Sequence, residues 1–142
     1  MKTFYNKYPI ILLAILLASC SSINTSDTNN MLQGTTWKLV EIVKDDIKEN
    51  IEDDVVLNIS FSKEEINGTS GCNTYFGQYS LKKDSEIELI LGGTTLMICE
   101  ENIQKYEDIF VVQIEKVKRM QLDENILYLR IDDSNYLLFH KI

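Results

Sequence analysis
One helical stripe set among strands constrains this chain more than any other feature. Ile103, Tyr106, Phe110, Ile114 and Val117 recur at intervals of 3, 4, 4 and 3 residues, which puts them on one face of an α-helix. Asn102 is the expected N-cap, with Glu100 and Glu101 at the start and Lys116, Lys118 and Arg119 at the end, each where the helix dipole favours its charge. The other apolar runs read as strands. Val55, Leu57, Ile59 and Phe61 face one way and Asn58 and Ser60 the other, and Tyr75, Gly77, Tyr79 and Leu81 repeat the pattern. Trp37, Leu39 and Val43 mark a first strand, residues 87–91 another that breaks at Gly92-Gly93, and Met120-Gln121-Leu122 a short piece before the last two. Those two, 126–131 and 136–141, form a hairpin turning at Asp132-Asp133-Ser134-Asn135. The charged run 45–54 reads as a loop, and the glycine-bearing run 66–73 as a turn or bulge. Strands, one helix and more strands predict a mainly β fold with one α-helix: an antiparallel sheet or partly open, cracked β-barrel packed on that helix.

The N-terminus carries an address. Lys2 and Lys7 precede the apolar run 9–17, which leads into Ala18-Ser19-Cys20, the layout of a signal peptide. The run is shorter than the roughly 20 apolar residues that a membrane-spanning helix needs. Leu17-Ala18-Ser19-Cys20 reads as a lipobox, so residues 1–19 are the signal, Cys20 is the lipidation site, residues 20–31 form a polar, flexible tether, and residues 32–142 form the folded domain. Two or more acyl chains on one residue anchor a protein stably. The membrane is thus the first expected partner, reached through lipid. Ser21, rather than aspartate, after the anchor points to the outer membrane, facing the periplasm.

Charge and side-chain chemistry narrow the function further. The chain has 14 basic and 22 acidic residues, and loss of Lys2 and Lys7 with the signal leaves a net charge of −10. Such a domain is a poor partner for nucleic acid and gains nothing from an anionic bilayer surface. The one histidine, His140, stands near the end of the last strand, which leaves little for Ser-His-Asp or Cys-His chemistry. Gly68-Thr69-Ser70-Gly71-Cys72 lacks the final glycine of a nucleophile elbow. With Cys20 assigned to lipid, Cys72 and Cys99 remain, 27 positions apart; this even remainder in an exported chain permits one disulfide, against the alternative of two small buried thiols. Neither this pair nor the lone histidine has a recognisable zinc spacing. No enzyme activity, cofactor or metal is expected.

Four separated motifs carry a resemblance. Gly34-Thr35-Thr36-Trp37-Lys38-Leu39, the run from Gly68 to Tyr79, Thr94-Thr95-Leu96-Met97-Ile98-Cys99, and Glu107-Asp108-Ile109-Phe110 stand in the order and spacing of the META domain over about residues 32–140. The chain resembles this family, which includes the heat-shock protein HslJ. The resemblance implies a compact β-rich domain with one helix, similar in shape to the cracked barrel of secretin pilot lipoproteins, with no established enzymatic activity. It also implies loose associations with heat stress, novobiocin tolerance, and motility or secretion. Family members commonly have arginine or lysine where this chain has Leu96. Gly71, Cys72, Asn73, Thr94, Thr95, Met97 and Cys99 form a candidate binding or structural motif: they either hold the helix against the sheet or line a ligand pocket. Gly71 suits a backbone that approaches something closely, and Asn73 can satisfy buried backbone groups with its side chain. The expected function is a non-catalytic envelope lipoprotein for stress response or for binding an envelope component. The alternative is a carrier of a lipid or other apolar ligand, or a secretin-pilot-like chaperone.

Overall fold
A computed structural model describes residues 25–142; the signal segment, Cys20 and residues 21–24 lie outside them. The alternating runs become nine strands: β1 (Thr35–Lys44), β2 (Ile47–Asn50), β3 (Asn58–Ser62), β4 (Glu65–Thr69), β5 (Thr74–Leu81), β6 (Ile87–Thr94), β7 (Arg119–Asp123), β8 (Ile126–Arg130) and β9 (Tyr136–Lys141). Two helices accompany them, α1 (Thr25–Leu32) and α2 (Glu101–Ile114). The strands form one sheet in the order β6-β5-β4-β3-β1-β9-β8-β7, with β2 on β1, and all pairings are antiparallel. The two edges meet again where Glu86 bridges Arg119 and the Ile87 N–H donates to the Lys118 carbonyl. The sheet is therefore a curled, partly closed barrel.

Apolar burial explains the curl. Trp37, Leu39, Leu57, Ile59, Phe61, Leu127, Leu129, Leu137 and Phe139 point inward and are buried. Tyr106, Phe110, Ile114 and Val117 of the helical stripe join the same core, with the rings of Tyr75 and Phe110 5.5 Å apart. Side chains thus fill the space between α2 and the sheet. In β1 the register against β9 shifts between Leu39 and Glu41. Such a bulge reverses the alternation, so Ile42 rather than Val43 enters the main core, although both are buried.

Several local expectations change. The second part of the expected flexible tether is helix α1: Leu32 is buried, and Asn29 Oδ1 accepts the Tyr79 hydroxyl at 2.8 Å, which docks this segment on the barrel. The expected loop 45–54 contains β2, because Asp45 and Asp46 both take positive φ (52° and 62°) and make a tight two-residue hairpin. The run 66–73 begins as strand β4. Residues Gly92-Gly93 continue β6, since the Phe76 ring lies where their side chains would be: a Cβ on Gly92 would sit 2.8 Å from Phe76 Cε2. Asn102 is not the N-cap of α2; Glu100 precedes the first turn without a side-chain cap bond. The helix ends at Ile114, so Lys116, Lys118 and Arg119 fall beyond its last turn. No helix among the described residues is long and apolar enough to cross a membrane.

These elements give the barrel two distinct poles. Helix α1 touches the 3-10 turn Lys83–Ser85 beyond the Leu81 end of β5. The loop between β4 and β5 and the segment between β6 and α2 lie at the Thr74 end, about 23 Å away at the usual rise of a strand.

Candidate functional site: a stapled polar junction
At the Thr74 pole the chain turns sharply between β4 and β5. The Ser70 N–H donates to the Asn73 carbonyl at 2.8 Å, closing the turn. Gly71 has φ +113°, and a Cβ there would lie 2.8 Å from Ile103 Cγ2. Glycine is required on both counts, for the backbone conformation and for the approach of the first turn of α2. The next residue, Cys72, is joined by a disulfide to Cys99, with the Cα atoms 6.0 Å apart. The bridge fastens the turn to the segment that leads into α2.

Beneath the bridge lies a buried carboxylate. Glu107, in the second turn of α2, is 5% exposed and accepts hydrogen bonds from Ser70 Oγ (3.1 Å) and Asn73 Nδ2 (3.0 Å). Cys99 Sγ lies 3.6 Å from Glu107 Oε2. Asn73, 3% exposed, turns its other end to the β6–α2 segment, where its Oδ1 accepts the Thr95 hydroxyl and the Met97 N–H, both at 2.8 Å. One asparagine therefore ties together the β4–β5 turn, the β6–α2 segment and α2. Among the described residues no lysine or arginine is ion-paired with Glu107, so two neutral donors hold this carboxylate. Nearby, Tyr75 donates its hydroxyl to the Asn58 carbonyl at 2.8 Å, and burial pushes its phenol well above the usual range.

Of the residues singled out in the sequence, Gly71, Cys72, Asn73, Thr95 and Cys99 meet in this junction. Met97 joins through its backbone only. Thr94 stays outside: its hydroxyl donates to the Thr74 carbonyl in an exposed position. Cys20 lies outside the described residues. Ser70 and Glu107 complete the junction and were not among the candidate site residues. Glu107 had a readable signal, since it is an acid one position after Tyr106 and four after Ile103, inside the buried stripe. Ser70 Oγ reaches a carboxylate but is wholly buried and also within 3.2 Å of the Asn73 carbonyl. It acts as a hydrogen-bonding strut. Among the described residues, Cys72, Cys99 and Glu107 form a group that could hold a metal once the bridge is reduced, their ligand atoms all lying within 4.8 Å of one another.

The junction presents a solvent-facing tip. With Thr95 and Met97 held by Asn73 and Cys99 held by the disulfide, Leu96, Met97 and Ile98 are 92%, 58% and 103% exposed. A separate cleft of about 460 Å³ lies across α2, lined among others by Lys44, Ile109, Val112, Gln113, Lys116 and Ile131. Gln113 is 6% exposed, and its Oε1 has no hydrogen-bond partner.

Solved structures share this architecture at low identity. An NMR structure of a protein from Burkholderia xenovorans is 19% identical, with a TM-score of 0.70 over 100% of this chain and 99% of that one. The crystal structure of a DUF4847 family protein from Bacteroides vulgatus is 17% identical, with a TM-score of 0.62 over 80% of this chain and 96% of that one. A further NMR structure gives 19% identity and a TM-score of 0.56 over 79% and 92% of the two chains. These likenesses establish the fold. No curated protein matches the chain. Among protein families, the META domain matches residues 30–141, which take in α1 from Asn30, the whole sheet, α2 and the stapled junction; the chain belongs to the META domain family.

Proposed function
We propose that this protein is a non-catalytic lipoprotein of the bacterial envelope, anchored through Cys20 in the outer membrane and facing the periplasm, which binds another envelope protein through the Leu96-Met97-Ile98 tip. The observation that carries this reading is the rigid exposure of three large apolar side chains. A frayed loop would pay an ordering cost on binding, whereas this one is already held by Asn73 and the disulfide. Exposed apolar side chains gathered on a fixed support are the usual marks of a recognition surface. The occupant is a protein rather than the anchoring bilayer, because α1, which follows the anchor in the chain, sits at the opposite pole. The five residue steps from Cys20 to Thr25 span at most about 18 Å. A role under envelope stress is in keeping with the family resemblance.

The test is a photoreactive residue at Ile98 in living cells, with one at Ile47, exposed on the β1–β2 hairpin, as the control. A discrete adduct from Ile98 that Leu96→Asp abolishes, and that Ile47 does not give, supports the reading. Equal adducts from both positions, or none from Ile98, reject it. The anchor has its own test: Cys20→Ala should accumulate unprocessed and without acyl label, and a matured, acylated product would refute the assignment.

One observation favours a second reading, a small-molecule carrier. The unpartnered Gln113 Oε1 beside the cleft is a buried acceptor that a ligand donor could satisfy, while Ile109, Val112 and Ile131 offer apolar contact. Native mass spectrometry of protein taken from cells decides it: a bound mass lost on Gln113→Leu supports a carrier, and a clean apo mass removes it.

A further inference from the structure
We infer that the stapled junction has a second state, in which reduced Cys72 and Cys99 together with Glu107 bind a single thiophilic divalent ion such as zinc. A buried carboxylate without a cation is costly, and an apolar side chain of similar length would pack in α2 at lower cost. Yet this acid lies against a pair of sulfurs, and what it lacks is positive charge.

The spacing suits a metal. Zinc bonds thiolate sulfur at about 2.3 Å and carboxylate oxygen at about 2.0–2.2 Å, so two such ligands on a tetrahedron stand about 3.5 Å apart. Cys99 Sγ and Glu107 Oε2 are already 3.6 Å apart. All three ligand atoms fall within 4.8 Å of one another, and the one large change required is for the two sulfurs to part to about 3.8 Å. Glu107 is also oriented as a ligand should be, with Ser70 Oγ on one oxygen and Asn73 Nδ2 on the other. Both cysteines are half-buried, which leaves an entry path and room for water as fourth ligand. Sequence spacing could not disclose the set, because the third ligand is neither cysteine nor histidine and comes from the helix.

The chemistry balances in two steps. A dithiol reductant passes two electrons and two protons to the Cys72–Cys99 disulfide, leaving two thiols and closing into its own disulfide. The ion then displaces both thiol protons to give a bis-thiolate, and two protons leave to solvent. Bridge and metal are mutually exclusive, and either one fastens the β4–β5 turn to the segment before α2.

The experiment uses the full-length chain in detergent, oxidised or reduced, with cobalt(II) as a spectroscopic probe and zinc as its competitor. The reduced chain should bind one cobalt with thiolate-to-metal charge-transfer absorption that zinc abolishes, and the oxidised chain should show none. Glu107→Gln should weaken binding about tenfold or more and alter the ligand-field bands. Zinc should raise the Tm of the reduced chain alone. Loss of the cysteines could also loosen the fold, so the doubly substituted Cys72→Ser, Cys99→Ser chain is paired with Glu107→Gln, which retains the bridge and whose oxidised form checks the fold by circular dichroism. Equal cobalt binding by the reduced chain and by the doubly substituted chain would overturn the site. So would Glu107→Gln matching the parent in both affinity and spectrum.

Discussion

Asn73 and Asn135 tie similar knots in opposite surroundings. Each donates Nδ2 to a carboxylate, Glu107 at 3.0 Å in one case and Asp132 at 2.8 Å in the other. Each accepts, through Oδ1, a backbone N–H from a segment distant in sequence, Met97 at 2.8 Å and Asp45 at 3.1 Å. Asn73 and Glu107 are buried, whereas Asn135 is half-buried and Asp132 exposed. Burial decides where such a knot holds shape. Water can replace every bond at the hairpin turn between β8 and β9, but nothing replaces them under the disulfide.

The largest way to break the buried knot is to cut the bridge over it. Replacing Cys72 and Cys99 by alanine frees a separation of 27 residues, which in the chain-entropy model lowers stability by about 3–4 kcal/mol. Urea unfolding of the oxidised and substituted chains measures this, and a loss below about 1 kcal/mol would mean that the bridge does little to restrict the unfolded chain. Next comes Asn73→Ala, which removes one of the two donors on the buried Glu107 carboxylate and the acceptor of both the Thr95 hydroxyl and the Met97 N–H. It should cost about 2–4 kcal/mol. The matched change, Asn135→Ala, should cost less than about 1 kcal/mol. Equal losses at the two asparagines would show that burial does not strengthen the knot. Combining Asn73→Ala with the cysteine changes should give less than the sum, because both fasten the same segment.

The same contrast explains what could be read in the sequence. Strands β3, β5 and β9 were legible because period-two burial leaves its mark on every second residue, although the alternation begins at Val55, ahead of the start of β3 at Asn58. The stripe from Ile103 to Val117 was legible for the matching reason at helical period. Strand β4 was hidden because Gly68 comes so close to its neighbour that a Cβ there would lie 2.1 Å from the Asn58 carbonyl oxygen. Glycines kept for such an approach look like a turn in the sequence. Strand β2 was hidden by an Asp-Asp turn in place of the usual Asn-Gly, and α1 by a polar composition whose docking depends on a tertiary contact, Tyr79 to Asn29. Of the junction, the glycine, the cysteines and Asn73 were visible as a motif. Glu107 stood in a motif of its own and inside the buried stripe, but nothing in the sequence joined it to the cysteines, because that contact is made only by the fold.

The smallest effect belongs to the exposed knot and depends on pH. The Asn135 side chain, and after it the backbone N–H groups of Ser134 and Asn135, hold the Asp132 carboxyl below the ordinary aspartate value of 3.8, against a weaker opposing effect of desolvation. The folded chain therefore binds this proton less readily than the unfolded chain. The stabilisation is complete above the unfolded value, at neutral pH, and is lost as acid drives the pH down through the folded value. Solvent screens the group, so the increment is slight. Asp132→Asn removes the charge at every pH. The urea midpoints of parent and variant should differ slightly near pH 7 and converge as the pH falls through and below 3.8. A difference that stays constant through that fall would assign the gain to turn geometry alone. A difference as large as that of Asn73→Ala would show that exposure does not set the strength of these knots.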